Sequence, residues 1–168
     1  PTDLRVYYVG GTPPAYIDPV RSESPLGQRR GLQQTLYPAG FGAASAQTID
    51  VERIPDIEAG TPLPASHLEW TAGFQSEGGT YTIETTSDDG SWVYLNDRLV
   101  LDDGGTHPAK TTRTRVLLGR GIYRFKLLYE DSGGVRFLRV RVYQSLPDGR
   151  AVSTALPSFC ADVAVPPD

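Results

Sequence analysis

The sequence predicts an all-β fold, an antiparallel sandwich or barrel with long irregular loops, and three observations predict it. Short segments alternate apolar and polar residues with period two, the pattern of half-buried strands. Turn-forming residues punctuate those segments at short spacing, which favours a sandwich or barrel over βαβ units. Gly (18) and Pro (14) are abundant in the 168 residues without any fixed period, and no window carries a sustained helical period.

The elements follow in chain order. Leu4-Arg5-Val6-Tyr7-Tyr8-Val9 is β-branched and aromatic and stops at Gly10-Gly11, a first strand. Residues 13–64 are rich in Pro, Gly, Ser and Ala and predict long loops, with one weak strand over Ala46–Val51. Leu68, Trp70, Ala72 and Phe74 alternate with Glu69, Thr71 and Gly73, and Thr80–Thr86 alternates again around Tyr81 and Ile83. Ser91–Leu95 and Arg98–Leu101 flank Asn96-Asp97, a pair suited to the positive φ angles of a tight hairpin. Thr111–Leu118 and Ile122–Tyr129 are expected to pair as a second hairpin across Gly119-Arg120-Gly121. Leu138, Val140 and Val142 alternate with Arg139 and Arg141 as a last main strand. After about Gln144 come Pro147, Pro157, Pro166 and Pro167, so the expectation is a β domain over 1–145 and a tail over 146–168 with one short strand.

Composition narrows the function classes. The net charge is −4 with 16 Lys and Arg spread along the chain, so no basic patch for nucleic acid is expected. Arg113, Arg115, Arg124, Lys126, Arg139 and Arg141 read as outward, solvated sheet faces, with a polyanionic glycan as the sharper alternative. The single cysteine, Cys160, excludes an intrachain disulfide. No apolar run approaches the roughly 20 residues of a membrane span, so no membrane insertion is expected. The chain contains no Met and begins at Pro1, which reads as a piece of a longer, multidomain precursor. Gly-x-Ser-x-Gly, P-loop and His-Glu-x-x-His motifs are all absent, so no enzyme is expected. Glu69, Glu84 and Glu130 stay open as carboxylates for glycoside hydrolysis.

The run Tyr81 to Val100, centred on Ser87-Asp88-Asp89-Gly90-Ser91-Trp92, resembles the centre of a PA14 domain. Leu4–Gly10 is similar to that family's opening strand, and Leu68–Gly73 to its Trp-x-x-Gly strand. Asp103–His107 resembles the loop after its hairpin, and Leu118–Tyr123 with Tyr129-Glu130 its last hairpin. The likeness covers roughly Leu4 to Val142. It departs at the turn, Asn96-Asp97 where the family often has Asp-Gly; both residues accept the left-handed conformation.

In glycan-binding members the resemblance implies an Asp-Asp pair, joined by a cis peptide, that holds calcium and grips sugar hydroxyls. The pair falls on Asp88 and Asp89. Calcium takes six to eight oxygens in irregular geometry, so assembled loops suit it. A Ser-Asp-Asp-Gly turn whose side chains bond backbone amides is the competing reading. The loop Glu130-Asp131-Ser132-Gly133-Gly134 stands where a second ligand loop belongs, with Asp131 as the third metal ligand and Ser132 and Gly133 as ligand contacts. Asp103, beside Asp102, either completes the site or solvates its loop, and His107 is either a sugar hydrogen-bonder or an exposed loop residue. Trp70 reads as core. Trp92 either packs across the sheet or stacks on a sugar ring.

The expected function is therefore a calcium-assisted carbohydrate-binding module of an extracellular or cell-surface protein. Its partner would be a glycan or cell-surface carbohydrate. A structural or protein-interaction module and an accessory domain of a glycosidase are the alternatives.

Overall fold

The computed structural model describes residues 14–20, 31–42, 47–51, 55–59, 66–153 and 159–160. These carry eleven strands: β1 (Ala15–Ile17), β2 (Leu32–Tyr37), β3 (Gln47–Val51), β4 (Asp56–Ile57), β5 (His67–Asp88), β6 (Ser91–Leu95), β7 (Arg98–Asp103), β8 (Lys110–Glu130), β9 (Phe137–Ser145), β10 (Ala151–Ser153) and β11 (Phe159–Cys160). They form one sheet whose main path is β10-β9-β5-β8-β6-β7, antiparallel except where β1 runs parallel to β8. Among the described residues no helix is long and apolar enough to cross a membrane. The expected opening strand, Leu4–Val9, lies outside the described residues.

β5 and β8 are paired along almost their whole length, from His67↔Glu130 to Ser87↔Lys110. Twenty-two extended residues would span about 70 Å. Yet His67 pairs with Glu130 and Asp88 with Phe137, so both ends of β5 stand beside one short loop. The two-strand ladder therefore doubles back on itself and contributes to both layers of a sandwich. One layer holds β2, the first half of β5, the second half of β8, β6 and β7; the other holds β1, the first half of β8, the second half of β5 and β9.

The bend corrects the sequence reading. Thr111–Leu118 and Ile122–Tyr129 do not pair with each other across Gly119-Arg120-Gly121; they are consecutive parts of β8, each paired with β5. The same holds for the two segments read at Leu68–Phe74 and Thr80–Thr86. At the bend, Gly78 and Gly79 take φ of 88° and 105°, where a side chain would be strained. The buried parity changes there. Leu68, Trp70 and Phe74 point inward before the bend, and Tyr81 and Ile83 after it. Val116 and Leu118 give way in the same manner to Tyr123, Phe125, Leu127 and Tyr129. Each strand closes its bend with a phenol: Tyr81 Oη accepts the Glu77 N–H at 3.0 Å, and Tyr123 Oη accepts the Gly119 N–H at 2.9 Å.

The core fills the space between the layers, where Phe74 meets Tyr81 edge-on at 5.5 Å. Trp70 is buried as expected, and its indole N–H reaches Gln34 Oε1 at 2.9 Å. The β6–β7 hairpin turns at Asn96 and Asp97 with φ of 51° and 62°, as the sequence predicts. Residues 13–64 hold more than the expected loops: β1, β2 and β4 all belong to the sheet, beside the expected β3. β2, Leu-Gln-Gln-Thr-Leu-Tyr, has no period-two alternation, so only its pairing with β3 and β5 reveals it.

Candidate functional site

Because β5 and β8 fold back, their ends converge at one pole with the start of β6, the end of β7 and the start of β9. Two loops, 104–109 and 131–136, close over it. The Asp88–Asp89 peptide bond is cis, as the resemblance implies. Asp88 is half-buried; its carbonyl accepts the Tyr129 hydroxyl. Burial, then the carboxylates of Asp131, Asp89 and Asp88, push the Tyr129 pKa up, with a backbone hydrogen bond at Phe137 opposing, so the phenol stays a donor. The Asp88 carboxylate itself has no hydrogen-bonding or ionic partner among the described residues.

Asp89 differs completely. It is 3% exposed. Its Oδ2 accepts the Ser132 N–H at 2.8 Å and the Ser132 hydroxyl at 2.6 Å, and its Oδ1 accepts the His107 N–H at 3.1 Å. Burial alone would raise its pKa; the hydrogen bonds from Ser132 and His107 and the nearby His107 charge outweigh that and lower it. One buried carboxylate thus ties both loops together, and Thr106 and Ser132 hydroxyls, 3.0 Å apart, add a second tie.

His107 lies within this network rather than on an exposed tip. Its Nε2 is 3.0 Å from the Asp103 carbonyl and its Nδ1 3.0 Å from the Pro108 carbonyl. Two acceptors facing both ring nitrogens are satisfied together only by the doubly protonated ring. Burial opposes that charge, but the two carbonyls and the Asp103 carboxylate overcome it, against Lys110, and raise the pKa.

Asp103 and Asp131 occupy positions the sequence reading did not foresee. Asp103 is 2% exposed and its carboxylate meets Lys110 at 2.9 Å, Thr112 at 2.8 Å and Ser87 at 3.1 Å. It faces a buried hydroxyl cluster of Thr85, Ser87 and Ser91, so it braces the loop from beneath and is not presented to a ligand. Asp131 is paired with the Arg136 guanidinium and accepts the Gly133 N–H at 3.0 Å. A guanidinium bound there leaves Asp131 unsuited to a metal ion. Ser132 and Gly133 are exposed on the loop rim, Gly133 with φ of 109°.

As a test of the implied calcium, Asp88 and Asp89 supply suitable hard oxygens, and a carboxylate that accepts N–H bonds keeps lone pairs for a cation. Asp131 does not. Among the described residues no group of three or more His, Cys, Asp or Glu side chains is placed to hold a metal. Any shell would therefore draw its remaining oxygens from other groups, such as backbone carbonyls or water.

Trp92 is neither core nor free. Its indole lies over the glycine backbones that follow each acidic pair; a Cβ on Gly90 or Gly104 would come within 2.8 and 2.7 Å of the ring. Glu84, an open candidate for hydrolysis, pairs with Arg113, while Glu69 accepts the Tyr37 hydroxyl and Glu130 lies 3.7 Å from His67. The residues missed by sequence reasoning are Tyr129, Lys110, Thr112 and Arg136. Only Arg136, an opposite charge five residues after Asp131 in a glycine loop, left a trace in the sequence.

The family profile described as PA14 domain matches residues 43–155. No curated protein is significantly similar in sequence. Among solved structures, an anti-sigma factor domain-containing protein is similar at 18% identity and TM-score 0.68, over 83% of this chain and 50% of that one. The chain thus spans about half the length of that protein. The PA14 sugar-binding domain from an RTX adhesin is similar at 19% identity and TM-score 0.62, over 79% of this chain and 98% of that one. The Epithelial Adhesin 9 A domain from Candida glabrata, solved with Galb1-3GlcNAc, is similar at 15% identity and TM-score 0.56, over 89% and 98%.

Proposed function

The chain belongs to the PA14 domain family, and on that premise we propose that it is a calcium-assisted carbohydrate-binding module, without catalytic activity, of an extracellular or cell-surface protein. The observation that carries this reading is the Asp88 carboxylate. It is half-buried at the pole, next to the loop-bonded Asp89, and no described residue engages it. The RTX adhesin domain, named for sugar binding, and the Candida adhesin domain, solved with a sugar, share this fold and support the ligand class. Asp88 and Asp89, with carbonyl oxygens of the 131–134 loop, are the groups that would hold calcium. A bound calcium ion would offer vicinal sugar hydroxyls a Lewis-acidic contact in place of its waters. Ser132, Gly133 and Trp92 line the rim where a sugar would lie; Asp103 and His107 shape that rim through the loop they brace.

Calorimetric titration with calcium chloride, followed by a glycan array with and without EDTA, tests the proposal. Binding heat that disappears in Asp88→Ala, and array signal that EDTA removes, are expected. Array signal that survives EDTA would end the calcium part, and an array with no signal would end the glycan part. A second reading, a protein-interaction or assembly module, is favoured by one observation: Asp89 and Asp103 both spend their carboxylates on the protein's own loops.

A further inference from the structure

Beside the acidic pair, on the outer face of the layer that contains β2 and β6, stands an aromatic cluster that shares Trp92 with the calcium site and whose other rings that site leaves unused. Phe41, just after β2, keeps 38% of its surface exposed although three rings surround it. Tyr37 lies 5.9 Å away at 68°, His67 4.8 Å away at 87°, and Trp92 6.4 Å away at 89°, all edge-to-face. An exposed phenylalanine is ordinary. One clamped by three rings is a rigid apolar plate presented to solvent, and ordering it on binding costs little. Register explains the clamp. Tyr37, His67 and Glu130 share one cross-strand row, and Glu69 and Trp92 share the next on the same face.

The polar groups around the plate are acceptors and weak donors: the Glu69 and Glu130 carboxylates, the Tyr37 hydroxyl and the His67 ring. An apolar face ringed by hydrogen-bonding groups matches a pyranose, which has one C–H face and hydroxyls at its edge. Two carboxylates in the ring disfavour an anionic sugar. The plate is continuous with the acidic pair, because the Trp92 ring that meets Phe41 also covers Gly90, the residue after Asp89.

We infer that Phe41, held by Tyr37, His67 and Trp92, forms a second sugar subsite, and that the module takes neutral oligosaccharides of at least two rings in preference to monosaccharides. This rests on the glycan reading of the Asp88–Asp89 pole. The test is an array of neutral glycans from mono- to tetrasaccharides, probed with the wild type, Phe41→Ala, Phe41→Trp and Asp88→Ala. Phe41→Ala should weaken binding of glycans of two or more rings about tenfold, the scale of a lost aromatic contact. It should leave any monosaccharide signal within about twofold, while Phe41→Trp restores the longer ligands and Asp88→Ala removes both. Equal effects of Phe41→Ala on short and long glycans, or none, overturn the subsite while leaving the pole intact. An array with no signal for the wild type overturns the pole and the subsite together. A melting temperature for Phe41→Ala equal to wild type shows that the fold is retained. If that temperature falls, Phe41→Trp, which keeps a ring, decides: longer glycans bound as by wild type support the subsite, and their loss overturns it.

Discussion

The carboxylate of Asp89 accepts three hydrogen bonds from donors on two loops, whereas that of Asp88 accepts none from the described residues. Removing a buried acceptor strands its donors, so Asp89→Ala should cost on the order of 2–4 kcal/mol in urea denaturation. Asp88→Ala should stay within about 0.5 kcal/mol. Equal losses would mean that Asp88 has a structural role the geometry does not show. The same network sets a pH window. Asp89 has a lowered folded pKa, so its contribution is present above the ordinary carboxylate value of about 3.9 and fades as pH falls through the folded value. His107 has a raised one, so its contribution is complete below about 6.5 and fades as pH rises through the folded value. Loop stability should therefore peak between the two, and melting curves of His107→Gln should lose the alkaline decline.

Among the strands, the bends of β5 and β8 depend on the hydroxyls that close them. Tyr123 Oη accepts the Gly119 amide and donates to the Ile17 carbonyl at 2.7 Å, linking β8 to β1 inside the protein. Tyr123→Phe should lose about 1–3 kcal/mol, since the buried Ile17 carbonyl and the part-buried Gly119 amide lose their partner. Tyr81→Phe should lose less, because the amide it accepts belongs to exposed Glu77, where water can replace it. The strand segments on either side of each bend were readable from alternation alone. Their continuity was not: glycines that permit a bend and glycines that close a hairpin look the same in a sequence, and the pairing partner decides between them. β2 was unreadable for a different reason. Its Gln34 is tied to Trp70 and its two leucines do not alternate, so its strand state comes from β5 beside it.

Across the molecule, the doubled β5–β8 ladder means that the two layers share strands. Neither layer can unfold while the other keeps its partners. Thermal unfolding followed by tryptophan fluorescence, which reports on Trp70 and Trp92 in one layer, should coincide with far-UV circular dichroism, which reports on both. Two separated transitions would show that the layers uncouple at the bend. The same doubling assembles the site. It brings residues from the end of β5, the end of β7 and the loop after β8 to one pole, and no local property of those segments requires it.

The strand-rich class, the Asn96-Asp97 hairpin, the acidic pair and the family resemblance all follow from the order of amino acids, because each is written in neighbouring residues: alternation, a tight turn, adjacent charges, an ordered motif. What each carboxylate does is a property of the folded chain. Folding leaves Asp88 without a partner among the described residues, spends Asp89 on two loops, buries Asp103 against Lys110 and Thr112, and pairs Asp131 with Arg136. It also sets Phe41 among three rings from distant strands. A carboxylate's role depends on which donors reach it within hydrogen-bonding distance, and those donors arrive through strand register, not through spacing along the chain.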